Sequence, residues 1–264
     1  MSMISTRGLT RHFGRTCAVD GLDLDIEPGE VFGLVGRNGA GKTTTIKMLT
    51  TLLPPGAGTA TVAGYDVVSQ AARVRRVIGY VPQALSADGE LTGYENLLVF
   101  ARLFDIPRAE RRGRIEDALR FMDLTGVAHS LVQSYSGGMI RRLEIAQSTL
   151  HRPKVLFLDE PTVGLDPLAR HTVWEHVARL NAEFGTTVVV TTHYMDEAEA
   201  LCDRVAVMHR GALAIVDSPD GLKARIGPDA TLDDAFAQFT GGSPEQETSY
   251  VETSRVRRAA HRLG

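Results

Sequence analysis

Leu22, Leu24 and Ile26 alternate with acidic residues, the period of two shown by a strand with one wet face. Residues 31–35 (VFGLV) break that rhythm with an unbroken run, which reads as a strand buried on both faces. A glycine-rich loop follows, and residues 43–53 then place Ile46, Met48, Leu49 and Leu53 at helical spacing until Pro54-Pro55-Gly56 stops them. Further short apolar runs at 78–81, 155–158, 187–191 and 204–208 read as strands, most of them separated by helical stretches. The pattern predicts an α/β fold with a mostly parallel, helix-covered sheet.

Between about residues 84 and 150 the strand signal gives way to helix signals. They begin with Thr92 and Glu95 in capping-box spacing ahead of Leu97, Leu98, Phe100 and Ala101. The domain reading is one unit over 1–225 with a helical insertion over 84–150, followed by a short C-terminal extension over 226–264. From Gly242 onward the chain is polar, mixed in charge and poor in aromatics, so a flexible tail is expected there.

At 264 residues and 43% hydrophobic content the chain can bury one sizeable core. No run approaches the roughly 18–20 apolar residues of a bilayer-spanning helix. The opening MSMISTRGLTRHFG lacks the apolar stretch of a signal peptide, so a cytoplasmic location is expected. A net charge of -3 without a basic stripe argues against a nucleic-acid partner. Cys17 and Cys202 show no metal or redox spacing and read as reduced packing thiols.

The loop Gly36-Arg-Asn-Gly39-Ala-Gly41-Lys42-Thr43 fits GxxxxGK[ST]. Its glycines let backbone N–H groups turn toward an anion without Cβ obstruction, and the helix that follows aims its free N–H groups and positive dipole end at the same point. Lys42 should reach the outer phosphates and the Thr43 hydroxyl should ligate Mg²⁺, as in P-loop enzymes generally. Asn38, Ala40 and Thr44 complete the candidate phosphate-binding set. Lysine is rare here, with only Lys42, Lys47, Lys154 and Lys223, and a slim point charge suits the loop better than a planar guanidinium.

The run 155–158 ends in Asp159 and Glu160, at the strand end where parallel sheets bind ligands. Asp159 is suited to hold Mg²⁺, and Glu160 to orient and deprotonate an attacking water. A solvated turn is the alternative reading of two adjacent acids. His193 closes another strand near the same edge and reads either as a contact to the terminal phosphate or as a local hydrogen-bonding residue.

These features resemble the ABC ATPase family, because four more markers follow the phosphate loop in the family's order. Gln83 in Tyr-Val-Pro-Gln resembles the Q-loop, and Tyr135-Ser136-Gly137-Gly138-Met139 the signature usually written LSGGQ. Gly164-Leu165-Asp166 resembles the D-loop, and His193 the switch histidine. The resemblance implies a P-loop NTPase fold with an antiparallel β edge subdomain and a helical insertion subdomain. It also implies ATP and Mg²⁺ as ligands and a head-to-tail dimer in which ATP on one phosphate loop is capped by Ser136, Gly137 and Gly138 of a second cassette. Physically, those residues form a second anion-binding helix start, or else a plain helix cap with permissive glycines. The family further assigns Gln83 to Mg²⁺ and the attacking water, Asp166 to the dimer seam, and an aromatic at the place of Phe13 to stacking on adenine. Phe13 replaces the more frequent tyrosine and can also be read as packing, while Met139 replaces the usual glutamine.

AVDGLDLDIEPGEVFGLVGRNGAGKTTTIKMLTTLL, YSGGMIRRLEIAQSTLHRPKVLFLDEPTVGLDP and TLDDAFAQFTG resemble daunorubicin-resistance-type exporters. In that group the cassette is a separate polypeptide serving an integral-membrane permease that exports drugs, antibiotics or lipids. The segment after Gly211 is shorter than the group's usual C-terminal extension. A non-transport ABC ATPase of translation or DNA maintenance is the alternative; one compact cassette without heptad insertions disfavours it. A nucleotide-gated protein that hydrolyses little would lack the catalytic acid or the switch, and both are present.

Overall fold

The computed structural model describes residues 2–241. In chain order its elements are β1 (Ile4–Phe13), β2 (Thr16–Ile26), β3 (Val31–Val35), α1 (Lys42–Leu49), β4 (Ala57–Val62), β5 (Tyr65–Asp66), α2 (Ala71–Val77), β6 (Ile78–Val81), α3 (Gly93–Leu103), α4 (Arg108–Phe121) and α5 (Gly137–Thr149). The second half continues with β7 (Val155–Asp159), α6 (Pro167–Phe184), β8 (Thr187–Thr192), α7 (Met195–Leu201), β9 (Arg204–His209), β10 (Ala212–Asp217), α8 (Pro219–Ala224) and α9 (Leu232–Thr240).

Six strands form one sheet in the order β10-β9-β3-β8-β7-β6, parallel throughout except that β10 runs antiparallel to β9. The unbroken apolar runs are explained by burial on both sides. Leu156 and Leu158 of β7 face one core with Val188 and Val190 of β8, while Val155 and Phe157 face the other with Val189. The first core lies under the helices from α3 to α9, and the second lies under α1, α2 and an antiparallel sheet of order β2-β1-β4-β5. Each such side chain, once buried, contributes about 1.5–3 kcal/mol.

The helical stretch between β6 and β7 holds α3, α4 and α5, and α3 starts at the expected place. Thr92 Oγ1 accepts from Glu95 N, and the Glu95 carboxylate accepts from Thr92 N in return. β2 lies at the edge of the antiparallel sheet and buries Leu22, Leu24 and Ile26 on one face, the wet and dry sides that its alternation predicts.

The helix after the phosphate loop is shorter than its apolar spacing predicts, ending at Leu49 instead of Leu53. Thr51 turns to φ +64°, and the N–H groups of Leu52 and Leu53 both fold back onto Lys47 O. Leu53 still packs against the second core, so its spacing imitates a helix that the backbone has left. β1, β4, β5 and β10 carry no clear strand signal. In β1 the alternation is interrupted at Gly8, where φ is +57° and the register against β2 shifts between Thr6 and Leu9.

Cys17 and Cys202 are free thiols. Burial, aided by nearby carboxylates, pushes the Cys202 thiol up to about 12, so it packs as an inert apolar group. The expected flexible tail from Gly242 lies outside the described residues. Among the described residues no helix is long and apolar enough to cross a membrane.

Candidate active site

The carboxyl ends of β3, β7 and β8 bring the predicted residues to one edge of the sheet. β3 delivers the loop 36–41, and α1 leaves it at Gly41, whose φ of +106° is closed to side-chain-bearing residues. A Cβ there would strike Ala18 O, and one at Gly36 would come within 2.7 Å of Met208 O. The loop is therefore drawn tight by backbone packing and leaves its outer side open. Phe13, Ala18, Asn38, Gly39, Ala40, Gly41, Lys42, Thr43, Thr44, Gln83 and Glu160 line a cleft of about 450 Å³ there. Phe13 is half exposed at its rim, with the Arg11 guanidinium 5.2 Å from its ring centre.

Lys42 turns inward. Its Nζ donates to Gly36 O at 2.7 Å and lies 3.1 Å from Glu160 Oε1. Thr43 Oγ1 donates to Asp159 Oδ1 at 3.0 Å, an oxygen that also accepts from Thr191 Oγ1 at 2.7 Å. Two oxygen donors in contact, one of them a buried carboxylate, match what a hard divalent cation requires. The same Asp159 charge, together with burial as the larger cause, pushes the Tyr80 phenol up to about 12.

Glu160 sits just past β7 with φ +46°, a conformation sparsely used by residues with side chains. Its N–H holds the turn by donating to Thr191 Oγ1 at 2.8 Å. The carboxylate is buried, and Oε2 accepts from Gln83 Nε2 at 3.3 Å. His193 Nδ1 is 3.4 Å from the same Oε2 and is not aligned as a hydrogen bond. Thr43, Asp159, Glu160, Gln83 and His193 thus form one connected polar cluster against the phosphate loop.

Ser136, Gly137, Gly138 and Asp166 do not line this cleft. They form a second patch in which Ser136 caps α5 by accepting from Met139 N, and Asp166 caps α6 by accepting from Ala169 N. Gly137 lies beside Leu165 and Gly138 beside Ala169, so the two helix starts are neighbours. Ser136, Gly137 and Asp166 are exposed.

Several residues at the site escaped the sequence reading. Thr191 serves both acids from within an apolar strand, where a hydroxyl in the run VVVTT was the available signal. Arg141 and Glu144 form a buried ion pair of 2.9 Å on α5. Arg141 donates to Pro82 O at 2.7 Å and Gln83 O at 2.8 Å, while Glu144 accepts from Ser86 N, Ser86 Oγ and Ala87 N. The loop carrying Gln83 is thereby bound to the helix that starts at Ser136.

A family model described as ABC transporter matches residues 19–163. The chain is 46% identical to the daunorubicin/doxorubicin resistance ATP-binding protein DrrA of Streptomyces peucetius, over 85% of this chain and 68% of that one. It is 42% identical to the Nod factor export ATP-binding protein I of Burkholderia lata, over 97% and 88%. A solved ATP-binding subunit of an ABC transporter superposes with a TM-score of 0.80 at 28% identity, covering 90% of this chain and 99% of that one. The chain belongs to the ABC transporter family, as an ATP-binding and ATP-hydrolysing subunit.

Proposed function

We propose that two copies of this chain associate head to tail and hydrolyse ATP between them, driving export through a separate integral-membrane permease. The observation that carries the reading is the separation of two anion-suited features. One is the phosphate-loop cleft with its acids; the other is the exposed helix start at Ser136 and Gly137, which does not reach that cleft. A triphosphate held by the loop of one copy meets the second feature only on another copy.

In this reading Gly36, Asn38, Gly39, Ala40, Gly41, Lys42, Thr43 and Thr44 grip the phosphates, and Phe13 stacks on adenine. Ser136, Gly137 and Gly138 cap the terminal phosphate from the partner copy, with Asp166 at the seam. Thr43, Asp159 and Gln83 would hold Mg²⁺, which supplies charge neutralisation along the phosphates when bound. Glu160 takes a proton from the attacking water, Gln83 orients that water, and His193 contacts the terminal phosphate. The cassette spans 1–225, with its helical insertion over 84–150 and an extension over 226–264.

Export of a drug, antibiotic or lipid is supported by the names of the relatives, which concern daunorubicin/doxorubicin resistance and Nod factor export. The protein then works at the inner face of the membrane, held there by the permease, with no nucleic-acid partner.

Gly137→Asp tests the reading. An acid in the first turn favours the helix, so the fold survives, while its charge repels an incoming phosphate. ATP binding to the phosphate loop should persist while turnover falls by about tenfold or more. Wild-type turnover in this variant would remove the signature turn from the site.

A further inference from the structure

Behind the hydrolytic edge lies a carboxylate with no place in the cleft. Glu197 of α7 is 3% exposed, and each of its oxygens accepts a hydroxyl. Thr162 Oγ1 donates to Oε1 at 2.6 Å, and Thr192 Oγ1 donates to Oε2 at 2.8 Å. Thr162 stands on the turn just past Glu160, and Thr192 immediately precedes His193. Thr192 Oγ1 also accepts from Tyr194 N at 2.9 Å, so the backbone is pinned on both sides of His193.

Positive charge reaches this group from α6. Arg170 Nε lies 3.6 Å from Glu197 Oε1, and the guanidinium carbon is 4.6 Å from the centre of the Tyr194 ring. That ring is in turn 4.2 Å from the His193 imidazole, centre to centre. α6 is the helix capped by Asp166.

A carboxylate withdrawn from water costs several kcal/mol unless hydrogen-bonded, and an apolar side chain of similar shape would stabilise the fold at least as well. Two short charge-assisted bonds do supply fixed geometry. Geometry is needed here, because Glu160 occupies a backbone conformation that its surroundings must impose.

We propose that Glu197 is a positioning residue for hydrolysis. It sets the spacing between the turn that carries Glu160 and the strand end that carries His193, and through Arg170 it joins both to the helix that begins at Asp166. The inference rests on the roles given above to Glu160 and His193, and goes beyond them by naming what holds those groups in register.

Steady-state hydrolysis of Mg-ATP by the full chain tests it, with Glu197→Ala, Glu197→Gln, Thr162→Val, Thr192→Val and Glu160→Gln measured side by side. For Glu197→Ala, kcat should fall about tenfold or more while KM stays within about twofold. Glu197→Gln should recover part of the loss, since its amide oxygen still accepts from one hydroxyl while its NH2 donates to the oxygen of the other. Either valine should lower kcat by about threefold alone and add little to Glu197→Ala, because both act through one group.

Wild-type kcat in Glu197→Ala would overturn the proposal, as would kcat and nucleotide affinity falling together without rescue by glutamine. Should Glu197→Ala fail to fold, the near-isosteric valine variants decide, and unchanged kcat in both overturns it. Full turnover in Glu160→Gln would instead defeat the underlying assignment of Glu160, whatever the other variants do.

Discussion

Lys42 Nζ lies 3.1 Å from Glu160 Oε1, and both side chains are withdrawn from solvent. The ammonium of the phosphate loop and the carboxylate at the end of β7 thus form a buried ion pair. Each prevents the other from being a buried unpaired charge.

Lys42→Ala should therefore do more than abolish ATP binding. It strands the Glu160 carboxylate, and removing one partner of a buried pair costs about 3 kcal/mol. Adding Glu160→Gln should return much of that stability, since a neutral amide needs no counter-charge. Denaturant unfolding of the two single variants and the double reads this coupling directly, and simple additivity would contradict it.

His151 gives the fold a dependence on pH. Its ring stacks on Phe104 at 3.7 Å between centres and 7° between planes, and Nε2 is 2.9 Å from Ile78 O. Burial holds its pKa below the ordinary value of 6.5, against the smaller opposing effect of that carbonyl. The neutral ring is thus the folded form. Its stabilising contribution is complete above the unfolded pKa of about 6.5 and is lost as pH falls through the lower folded value. Between pH 7.5 and 5.5 the melting temperature should drop less in His151→Gln, which keeps a donor for Ile78 O without titrating, than in the parent chain.

The Arg141–Glu144 pair predicts a local effect. Burial lowers the Arg141 pKa while the Glu144 charge opposes that shift, so the cation depends on its partner. Glu144→Ala should cost about 3 kcal/mol, because it leaves Arg141 buried without a counter-charge. It should also free the amides of Ser86 and Ala87, which donate to Glu144. Hydrogen exchange should speed up there first, while amides in β7 and β8 stay slow at early times.

Legibility in the sequence followed the physics of each element. β3, β7, β8 and β9 are covered on both faces, so their apolar runs could be read at sight, and the loop 36–43 carries its chemistry in fixed glycines. β1 and β10 were opaque because pairing with neighbours, and not their own composition, makes them strands. Glu160 and His193 could be found at strand ends. Glu197 and Arg141 could not, since a carboxylate or guanidinium on an amphipathic helix reads as a solvated face until tertiary packing buries it. The expected helix to Leu53 failed for a related reason: apolar spacing records which side chains are buried, and Leu53 remains partly buried after the backbone has turned.

The claim on which the account turns is that one ATP is gripped by two copies of this chain. Light scattering of Glu160→Gln in Mg-ATP measures it most directly, because the role proposed for Glu160 leaves binding intact in this variant and stops turnover. The 28.6 kDa monomer should shift to a particle of twice that mass, and adding Gly137→Asp should reverse the shift. A nucleotide-loaded species that stays at 28.6 kDa at saturating ATP would contradict it.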